Sequence, residues 1–289
     1  DLIGKLLSNP GDRLLVEAPT YVGALQAFNS YEARYLTVPL DGDGLQVDKL
    51  EQELRSGPKF LYVLPNFHNP AGTTLTVERR NRLVELASHY GVPILEDDPY
   101  GQLRYEGEHQ PPLVEIDSEY HGERAGKAAA GGRFRGGVIY LSSLSKTLAP
   151  GLRIAWVVAP TDVIGRLVQI KQGADLHTST FNQMVAFETA RGGFLDHHVK
   201  VLRDFYRQRR DAMLEALKRF MPDGVEWTRP QGGLFLWLTL PAGDLQKVGA
   251  AAILQEAVKS KVVFVPGSAF YPGPSADGSG ERSMRLNFS

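Results

Sequence analysis

The sequence contains no cysteine among its 289 residues, which excludes disulfide bonds, thiolate metal sites and cysteine nucleophiles. It also has no apolar run that approaches the roughly 20 residues of a membrane-spanning helix. Neither sign of charge is in excess, because 32 basic residues face 33 acidic ones and leave a net charge of −1. This balance gives no electrostatic reason to expect nucleic acid or a membrane surface as a partner, and the absence of cysteine fits a cytoplasmic protein.

The residues that are present have the composition of a globular protein, with 43% hydrophobic and 22% charged residues. The length suits one large domain or a little more. Both ends of the sequence look truncated. Residues 1–7 resemble the middle of an amphipathic helix, and residues 284–289 resemble a strand with nothing after it. The sequence is therefore expected to be part of a longer chain.

Apolar, β-branched runs alternate with helical patterns along most of the sequence. This alternation predicts an α/β fold with a mostly parallel, buried sheet, in which ligands lie beyond the carboxyl ends of the strands. The predicted strands are residues 14–17, 35–39, 60–64, 92–96, 138–142 and 154–159, and the predicted helices are residues 20–30, 47–55, 76–90, 161–173 and 179–191.

A long, charge-rich helical pattern over residues 194–221 predicts a connection between two domains. Residues 1–193 are expected to form the large domain, and residues 222–289 part of a smaller α+β domain. Residues 122–137 are rich in Gly, Ala and basic residues and have no apolar period, which predicts a mobile loop.

The most informative segment is Leu-Ser-Ser-Leu-Ser-Lys-Thr-Leu-Ala-Pro-Gly-Leu-Arg at residues 141–153, directly after an apolar strand pattern. Lys146 is costly beside a buried strand unless it is paired, neutralised or used covalently. Hydroxyl side chains with Arg153 nearby suit a phosphate group. The segment predicts a lysine that forms a Schiff base with pyridoxal 5′-phosphate; the alternative is an exposed lysine after a strand, with serines in a turn.

Two further motifs follow predicted strands. Asn69 precedes a proline in residues 65–72, which favours an extended backbone that can aim its amide into a pocket, although Asn-Pro and Ala-Gly also form ordinary turns. Asp97 and Asp98 come directly after an apolar run, and Tyr100 follows. One acid can pair with a pyridinium nitrogen and the tyrosine can bind the ring oxygen; a metal site or a helix-capping acid pair is the alternative.

Taken in order, these motifs resemble the fold-type I pyridoxal-phosphate enzymes, the aspartate aminotransferase superfamily. The resemblance runs in order from residue 1 to residue 289, with a gap only at the predicted loop just before residue 138. Residues 171–178 and 229–235 are similar to the branch of 2-aminoadipate and kynurenine aminotransferases, which includes the broad-specificity 2-aminoadipate enzymes of bacterial lysine biosynthesis. The fold implied is a large domain with a seven-stranded, mostly parallel sheet and a smaller C-terminal domain.

The resemblance implies catalytic roles for three residues. Lys146 binds the cofactor aldehyde and, once displaced, moves a proton between substrate and cofactor. Asp97 pairs with the ring nitrogen, and Asp98 is the alternative. Tyr100, three residues after Asp97, binds the ring oxygen together with Asn69.

The same resemblance implies the remaining cofactor and substrate contacts. Tyr21 stacks on the cofactor ring and, with Asn69, borders the substrate. The phosphate is held by hydroxyl and guanidinium groups in the segment that contains the lysine, and the substrate carboxylate by an arginine of the second domain. These residues are Ser143, Ser145, Arg153 and, for the carboxylate, Arg285.

The expected function is an aminotransferase that moves an amino group between 2-aminoadipate, an aromatic or a branched-chain amino acid and 2-oxoglutarate, with glutamate as the other partner of that pair. The expected kinetics are ping-pong and the expected assembly is a homodimer. Two alternatives use the same fold: the cofactor-binding sensor domain of a winged-helix transcription regulator, and a pyridoxal-phosphate lyase or decarboxylase.

Overall fold

The computed structural model describes residues 1–125, 136–242, 244–275 and 277–289. Within these ranges, helices alternate with strands as far as β7 and the remaining short strands follow a long helix. The helices are Leu2–Leu7 (α1), Val22–Asn29 (α2), Leu50–Arg55 (α3), Val77–Tyr90 (α4), Leu113–Ala125 (α5), Thr161–Asp175 (α6), Thr180–Ala190 (α7), Phe194–Phe220 (α8), Asp244–Lys259 (α9) and Ser279–Arg282 (α10). The strands are Arg13–Ala18 (β1), Arg34–Asp41 (β2), Gly44–Leu45 (β3), Leu61–Val63 (β4), Ile94–Asp97 (β5), Val138–Ser143 (β6), Ala155–Val158 (β7), Glu226–Trp227 (β8), Phe235–Thr239 (β9), Val265–Pro266 (β10) and Ser283–Asn287 (β11).

In the described residues, the first seven strands form one sheet in the order β3-β2-β1-β4-β5-β6-β7. The five strands in the middle of this order, from β2 to β6, pair in parallel, and the two edge strands pair antiparallel. The predicted α/β class and the mostly parallel seven-stranded sheet are confirmed. The short β3 was not predicted, because two residues are too few to give a periodic pattern.

Both faces of this sheet are apolar and covered. Leu15 and Ile94 point to the core that α3, α4 and α5 cover, whereas their neighbours Leu14 and Leu95 point to the core beneath α1, α2 and α6. Successive strand residues face opposite sides of a sheet, so a strand that is buried on both sides reads as a continuous apolar run.

The second sheet contains β10, β11, β9 and β8 in that order, all antiparallel. Its core includes Leu236, Leu238 and Met284, and it is joined by Leu217 from the end of the long helix α8. This α+β arrangement is the one expected for residues 222–289, and the division of the chain at residues 193 and 221 stays a prediction. None of the helices in the described ranges is both long and apolar enough to cross a membrane.

The sequence analysis did not predict α5, and it was wrong for residues 122–125, which are helical and not part of a loop. The helix starts where it does because the buried carboxylate of Glu96 accepts hydrogen bonds from the backbone N–H groups of Leu113 and Val114, each at 2.9 Å. That carboxylate is 17 residues away in the sequence, so no local pattern reveals it. Residues 126–135 of the predicted loop lie outside the described residues.

A fully buried arginine fixes the backbone between β4 and α4. Arg80 is 0% exposed, and its guanidinium donates to the carbonyl oxygens of Leu75, Pro65 and Pro111 and to Asn66 Oδ1, at 2.7 to 3.0 Å. A buried charge is tolerated only when its donors are satisfied. Arg80 therefore holds both ends of the segment that contains Asn69.

We expect Arg80→Met to lower the free energy of unfolding by about 3 kcal/mol, because four buried acceptors lose their donor. The matched control is Arg82→Met on the same helix, where the guanidinium is half-exposed and pairs with Glu85; this change should cost less than about 1 kcal/mol. Urea unfolding measures both. Equal effects of the two substitutions would contradict the structural role of Arg80.

Candidate active site

The candidate site lies where three neighbouring parallel strands end. Asn69 follows β4, Asp97 is the last residue of β5, and Lys146 comes three residues after β6. The strands are in register, with Asp97 opposite Leu141, so their carboxyl ends meet at one edge of the sheet. The structure therefore brings together side chains that are up to 77 residues apart in the sequence, since 146 − 69 = 77.

The two adjacent acids have different surroundings. Asp98 is buried and its carboxylate accepts from the Gly101 backbone N–H at 2.8 Å and from the Tyr140 hydroxyl at 3.3 Å. Asp97 Oδ2 accepts from the Tyr62 hydroxyl at 2.6 Å, and no other side chain in the described residues bonds to it. Burial raises the pKa of Asp97 to about 6. Asp98 thus stabilises its own turn, whereas Asp97 retains a free oxygen.

An arginine from the second sheet reaches Asn69. Arg285, on β11, donates from Nη1 to Asn69 Oδ1 at 2.8 Å. The Asn69 amide also lies close to the buried Tyr100 and lowers the pKa of its phenol, which burial raises. Asn69 is 3% exposed, so these contacts fix its orientation and join β11 to the edge of the large sheet.

The guanidinium of Arg285 rests on two aromatic rings. Its central carbon lies 4.2 Å from the centroid of Phe235 and 5.0 Å from that of Phe270, distances at which a cation is attracted to a ring face. Its Nε is buried and has no hydrogen-bond partner in the described residues. Burial lowers the pKa of Arg285. A guanidinium with a buried donor that has no partner in the described residues favours an anion as its ligand.

Lys146 lies close to two arginines and is half-buried. Burial lowers the pKa of its ammonium group, and the positive charges of Arg285 and Arg153 lower it further. Within the part of the chain that the structure describes, no carboxylate forms an ion pair with Lys146. These surroundings favour a neutral amine, which is a nucleophile and a base.

Tyr21 stands at the start of α2 and is 36% exposed. Its ring lies over Gly23, where a Cβ atom would come within 2.5 Å of it. Tyr21 is also close enough to influence Tyr100 and Arg285 electrostatically. The structure therefore includes Tyr21 in the candidate site, with the absence of a side chain at residue 23 making room for its ring.

The three residues predicted to bind the phosphate, Ser143, Ser145 and Arg153, are not all in contact with one another. The Ser145 backbone N–H donates to Ser143 Oγ at 3.2 Å, so both serines share the turn that ends β6. Arg153 is exposed, and its Nη1 donates to the Pro150 carbonyl at 3.2 Å. In the described residues its guanidinium bonds to neither serine, and it is linked to the site only through its charge on Lys146.

The sequence analysis missed two buried groups that support the site. Tyr62, 2% exposed, bonds to Asp97, and Glu17, also 2% exposed, lies 3.1 Å from Nε2 of His68. His68 Nδ1 accepts a hydrogen bond from the Ala71 N–H at 3.2 Å. His68 is therefore a structural residue beside Asn69. Neither partner could be identified from sequence, because the contacts span 35 and 51 residues.

Among the described residues, no three His, Asp or Glu side chains are arranged to hold a metal ion. The groups that are present suit an aromatic, phosphorylated aldehyde: an acid for a ring N–H, an amide and a hydroxyl for a ring oxygen, two serines for a phosphate and an amine for the carbonyl carbon. The buried, unpartnered Nε of Arg285 adds an anion-binding group.

The chain matches a family description, "Aminotransferase class I and II", over residues 1–289. It belongs to this family. The aromatic-amino-acid aminotransferase 1 of Thermococcus litoralis is 46% identical over 294 residues, covering 100% of this chain and 65% of that protein. The chain therefore spans just under two thirds of the length of this curated relative.

A solved structure and a second kind of relative extend the comparison. The alpha-aminoadipate aminotransferase of Thermus thermophilus, complexed with N-(5'-phosphopyridoxyl)-L-leucine, superimposes with a TM-score of 0.88 at 40% identity, over 99% of this chain and 68% of that one. An uncharacterized HTH-type transcriptional regulator of Bacillus subtilis is 32% identical over 96% of this chain and 52% of the regulator. The fold is therefore that of the fold-type I aminotransferases, as the sequence predicted.

We expect Asp97→Asn to stabilise the ligand-free protein at neutral pH. The folded pKa of Asp97 is about 6, above the ordinary value of about 3.9, so its favourable contribution is present below about pH 4 and is lost as the pH rises through 6. The variant should match the unsubstituted protein at pH 4 and be more stable by roughly 2 kcal/mol at pH 7, as measured by urea unfolding.

Asp41→Asn provides a control of opposite sign. Hydrogen bonds from Arg79 lower the pKa of Asp41, so its contribution is present above about pH 4 and is lost as the pH falls. This variant should be less stable than the unsubstituted protein at pH 7 and similar to it in acid. An Asp97→Asn variant that is destabilised at pH 7 would contradict the assigned pKa.

Proposed function

We propose that the protein is a pyridoxal-phosphate-dependent aminotransferase. The observation that carries the proposal is the setting of Lys146: a half-buried amine beside Arg153 and Arg285, with a lowered pKa and no paired carboxylate in the described residues. A lysine that serves as a surface charge or an ion-pair partner does not need such surroundings. A lysine that bonds covalently to a carbonyl compound does.

Pyridoxal phosphate, when bound, supplies an electron-withdrawing ring that stabilises negative charge at the substrate α-carbon. Asp97 would hold the ring nitrogen through its free carboxylate oxygen. Asn69 and Tyr100 would donate to the ring oxygen, and Tyr21 would cover one ring face. We assign the nitrogen to Asp97 and not Asp98, because the Asp98 carboxylate is already bonded within its own turn.

The phosphate would be held by Ser143, Ser145 and Arg153. The serines lie in the turn after β6, and the arginine is exposed and supplies two parallel donors for phosphate oxygens. Their position next to Lys146 in the sequence supports this assignment, because one short segment then holds both ends of the cofactor.

Two residues would act directly on the substrate. Arg285 would bind the substrate α-carboxylate through its guanidinium, held against Phe235 and Phe270. Lys146, as a neutral amine, would remove the proton from the α-carbon and return it to the cofactor. Because the amino acid and the 2-oxo acid carry the same carboxylate, one Arg285 serves both half-reactions, and ping-pong kinetics follow.

The amino-group donors we propose are 2-aminoadipate, aromatic or branched-chain amino acids, with glutamate and 2-oxoglutarate as the common pair. The aromatic-amino-acid and alpha-aminoadipate aminotransferases among the relatives support this range. We also propose a cytoplasmic homodimer of broad specificity that takes part in amino-acid metabolism, including lysine biosynthesis.

The regulator relative favours a second candidate, a cofactor-binding sensor domain. We prefer the first candidate because Asp97, Lys146 and Arg285, to which we assign the ring nitrogen, the proton transfer and the substrate carboxylate, lie close together. A sensor would bind the cofactor without converting it. A lyase or decarboxylase on the same fold would release ammonia, sulfide or carbon dioxide and would not need a 2-oxo acid.

The proposal is tested with the full-length protein loaded with pyridoxal phosphate. We expect glutamate to bleach the visible absorbance band of the bound cofactor and 2-oxoglutarate to restore it, because each half-reaction reverses the other. Repeating the first step with 2-aminoadipate, leucine and phenylalanine ranks the donors. A band that forms and never responds would favour the sensor, and bleaching with release of ammonia or carbon dioxide would favour the lyase or decarboxylase.

Lys146→Ala should abolish the visible band and slow the half-reaction by more than about 1,000-fold, since both the covalent attachment and the base are lost. Lys171→Ala is the matched control, because that lysine pairs with Asp175 on an exposed helix face. Stopped-flow absorbance measures both variants. An unchanged rate in Lys146→Ala would refute the role of this lysine.

A further inference from the structure

Tyr62 is a buried tyrosine whose hydroxyl is directed at the candidate site and not at solvent. It lies on β4, beside Val16 of β1 and Leu95 of β5. Only 2% of it is exposed, and its ring packs edge-on against Phe28 at 5.7 Å between centroids. Burial and this contact hold the ring in place, and its hydroxyl extends to the end of the neighbouring strand β5.

What lies there is Asp97. The Tyr62 hydroxyl donates to Asp97 Oδ2 at 2.6 Å, a short distance typical of a hydroxyl bonded to a carboxylate. In the described ranges, this is the only hydrogen bond from a side chain that Asp97 receives. The neighbouring carboxylate of Asp98 accepts hydrogen bonds from Gly101 and Tyr140 instead. Of the two acids, Tyr62 therefore bonds only to Asp97.

We propose that Tyr62 is a positioning residue for Asp97: its hydroxyl holds one carboxylate oxygen and leaves the other for the ring nitrogen of the cofactor. The inference rests on the proposed function. A hydrogen bond donated to a carboxylate stabilises the ionised form, and this form is the one that pairs with a protonated ring nitrogen. Burial alone would favour the neutral form of Asp97. The hydrogen bond from Tyr62 acts in the opposite direction and favours the charged form, which the proposed pairing needs.

The other groups that change the pKa of Asp97 act through their charge and not through a hydrogen bond to one of its oxygens. The Asp98 carboxylate raises its pKa, and the amine of Asp1 lowers it. Burial raises the pKa of the Tyr62 phenol most, and the charge of Asp97 and the nearby Glu17 and Tyr21 raise it further, which keeps the hydroxyl a donor. A variant that changes only the Tyr62 hydroxyl leaves all these groups in place, so the comparison isolates its bond to Asp97.

The test uses Tyr62→Phe in the full-length protein, which keeps the ring and its contact with Phe28 and removes one oxygen. Two ligands are compared by fluorescence titration: pyridoxal 5′-phosphate, and its 1-deaza analogue, in which carbon replaces the ring nitrogen. The ratio of their dissociation constants measures the pairing between Asp97 and the ring nitrogen. Tyr35→Phe is the matched control, since that hydroxyl bonds to Asn29 and the Leu25 carbonyl and has no contact with Asp97.

We expect Tyr62→Phe to lower the preference for pyridoxal phosphate over the deaza analogue about 10-fold, a size typical of a group that orients a ligand-binding residue. Tyr35→Phe should leave the preference unchanged. A merely structural Tyr62 would weaken both ligands equally and leave the ratio unaltered, which would overturn the inference. An unsubstituted protein that binds both ligands equally would instead refute the pairing of Asp97 with the cofactor, and with it this part of the proposed function.

Discussion

The parallel pairing of β4, β5 and β6 is the constraint on which the candidate site depends. Parallel strands end at the same edge of a sheet, so the residues that follow them are brought together however far apart they lie in the sequence. Asn69, Asp97 and Lys146 are neighbours for this reason. The buried Arg80 serves the same geometry, because it holds the backbone on either side of the segment that carries Asn69.

A second connection completes the site from outside the large sheet. β11 belongs to the antiparallel sheet, yet its Arg285 bonds to Asn69 at 2.8 Å. The same asparagine amide lies close to Tyr100, so one side chain joins β11 to the residues at the edge of the large sheet. A displacement of β11 would therefore move Arg285 relative to Lys146, and the proposed chemistry needs both sheets in their present places.

The sequence predicted the elements whose signal is local. Apolar runs located the central strands of the large sheet, because a strand that is buried on both faces is a continuous apolar run in the sequence. The motifs around Asn69, Asp97 and Lys146 predicted a candidate site, and the structure brings these three residues to one edge of the sheet; their roles stay a prediction. The four residues at the end of α5 were assigned wrongly, since the carboxylate that starts this helix belongs to Glu96, on β5.

Supporting groups were not predictable for a related physical reason. Tyr62 reads as an ordinary aromatic residue in a strand, and Glu17 as a polar residue at a strand end. Their functions come from contacts with Asp97 and His68, 35 and 51 residues away. Sequence patterns report which face of an element is buried, whereas a hydrogen bond across the sheet depends on the register between strands, which only the structure gives.

The ionisable groups of the site share one property. Burial raises the pKa of Asp97 and lowers those of Lys146 and Arg285, so every shift disfavours the charged form. Such a site is costly when empty, because its charges are removed from water without being paired with one another. A ligand with a protonated ring nitrogen, a phosphate and a carboxylate would supply the opposite charge to Asp97, Arg153 and Arg285. The stability lost in the free protein would then be recovered on binding.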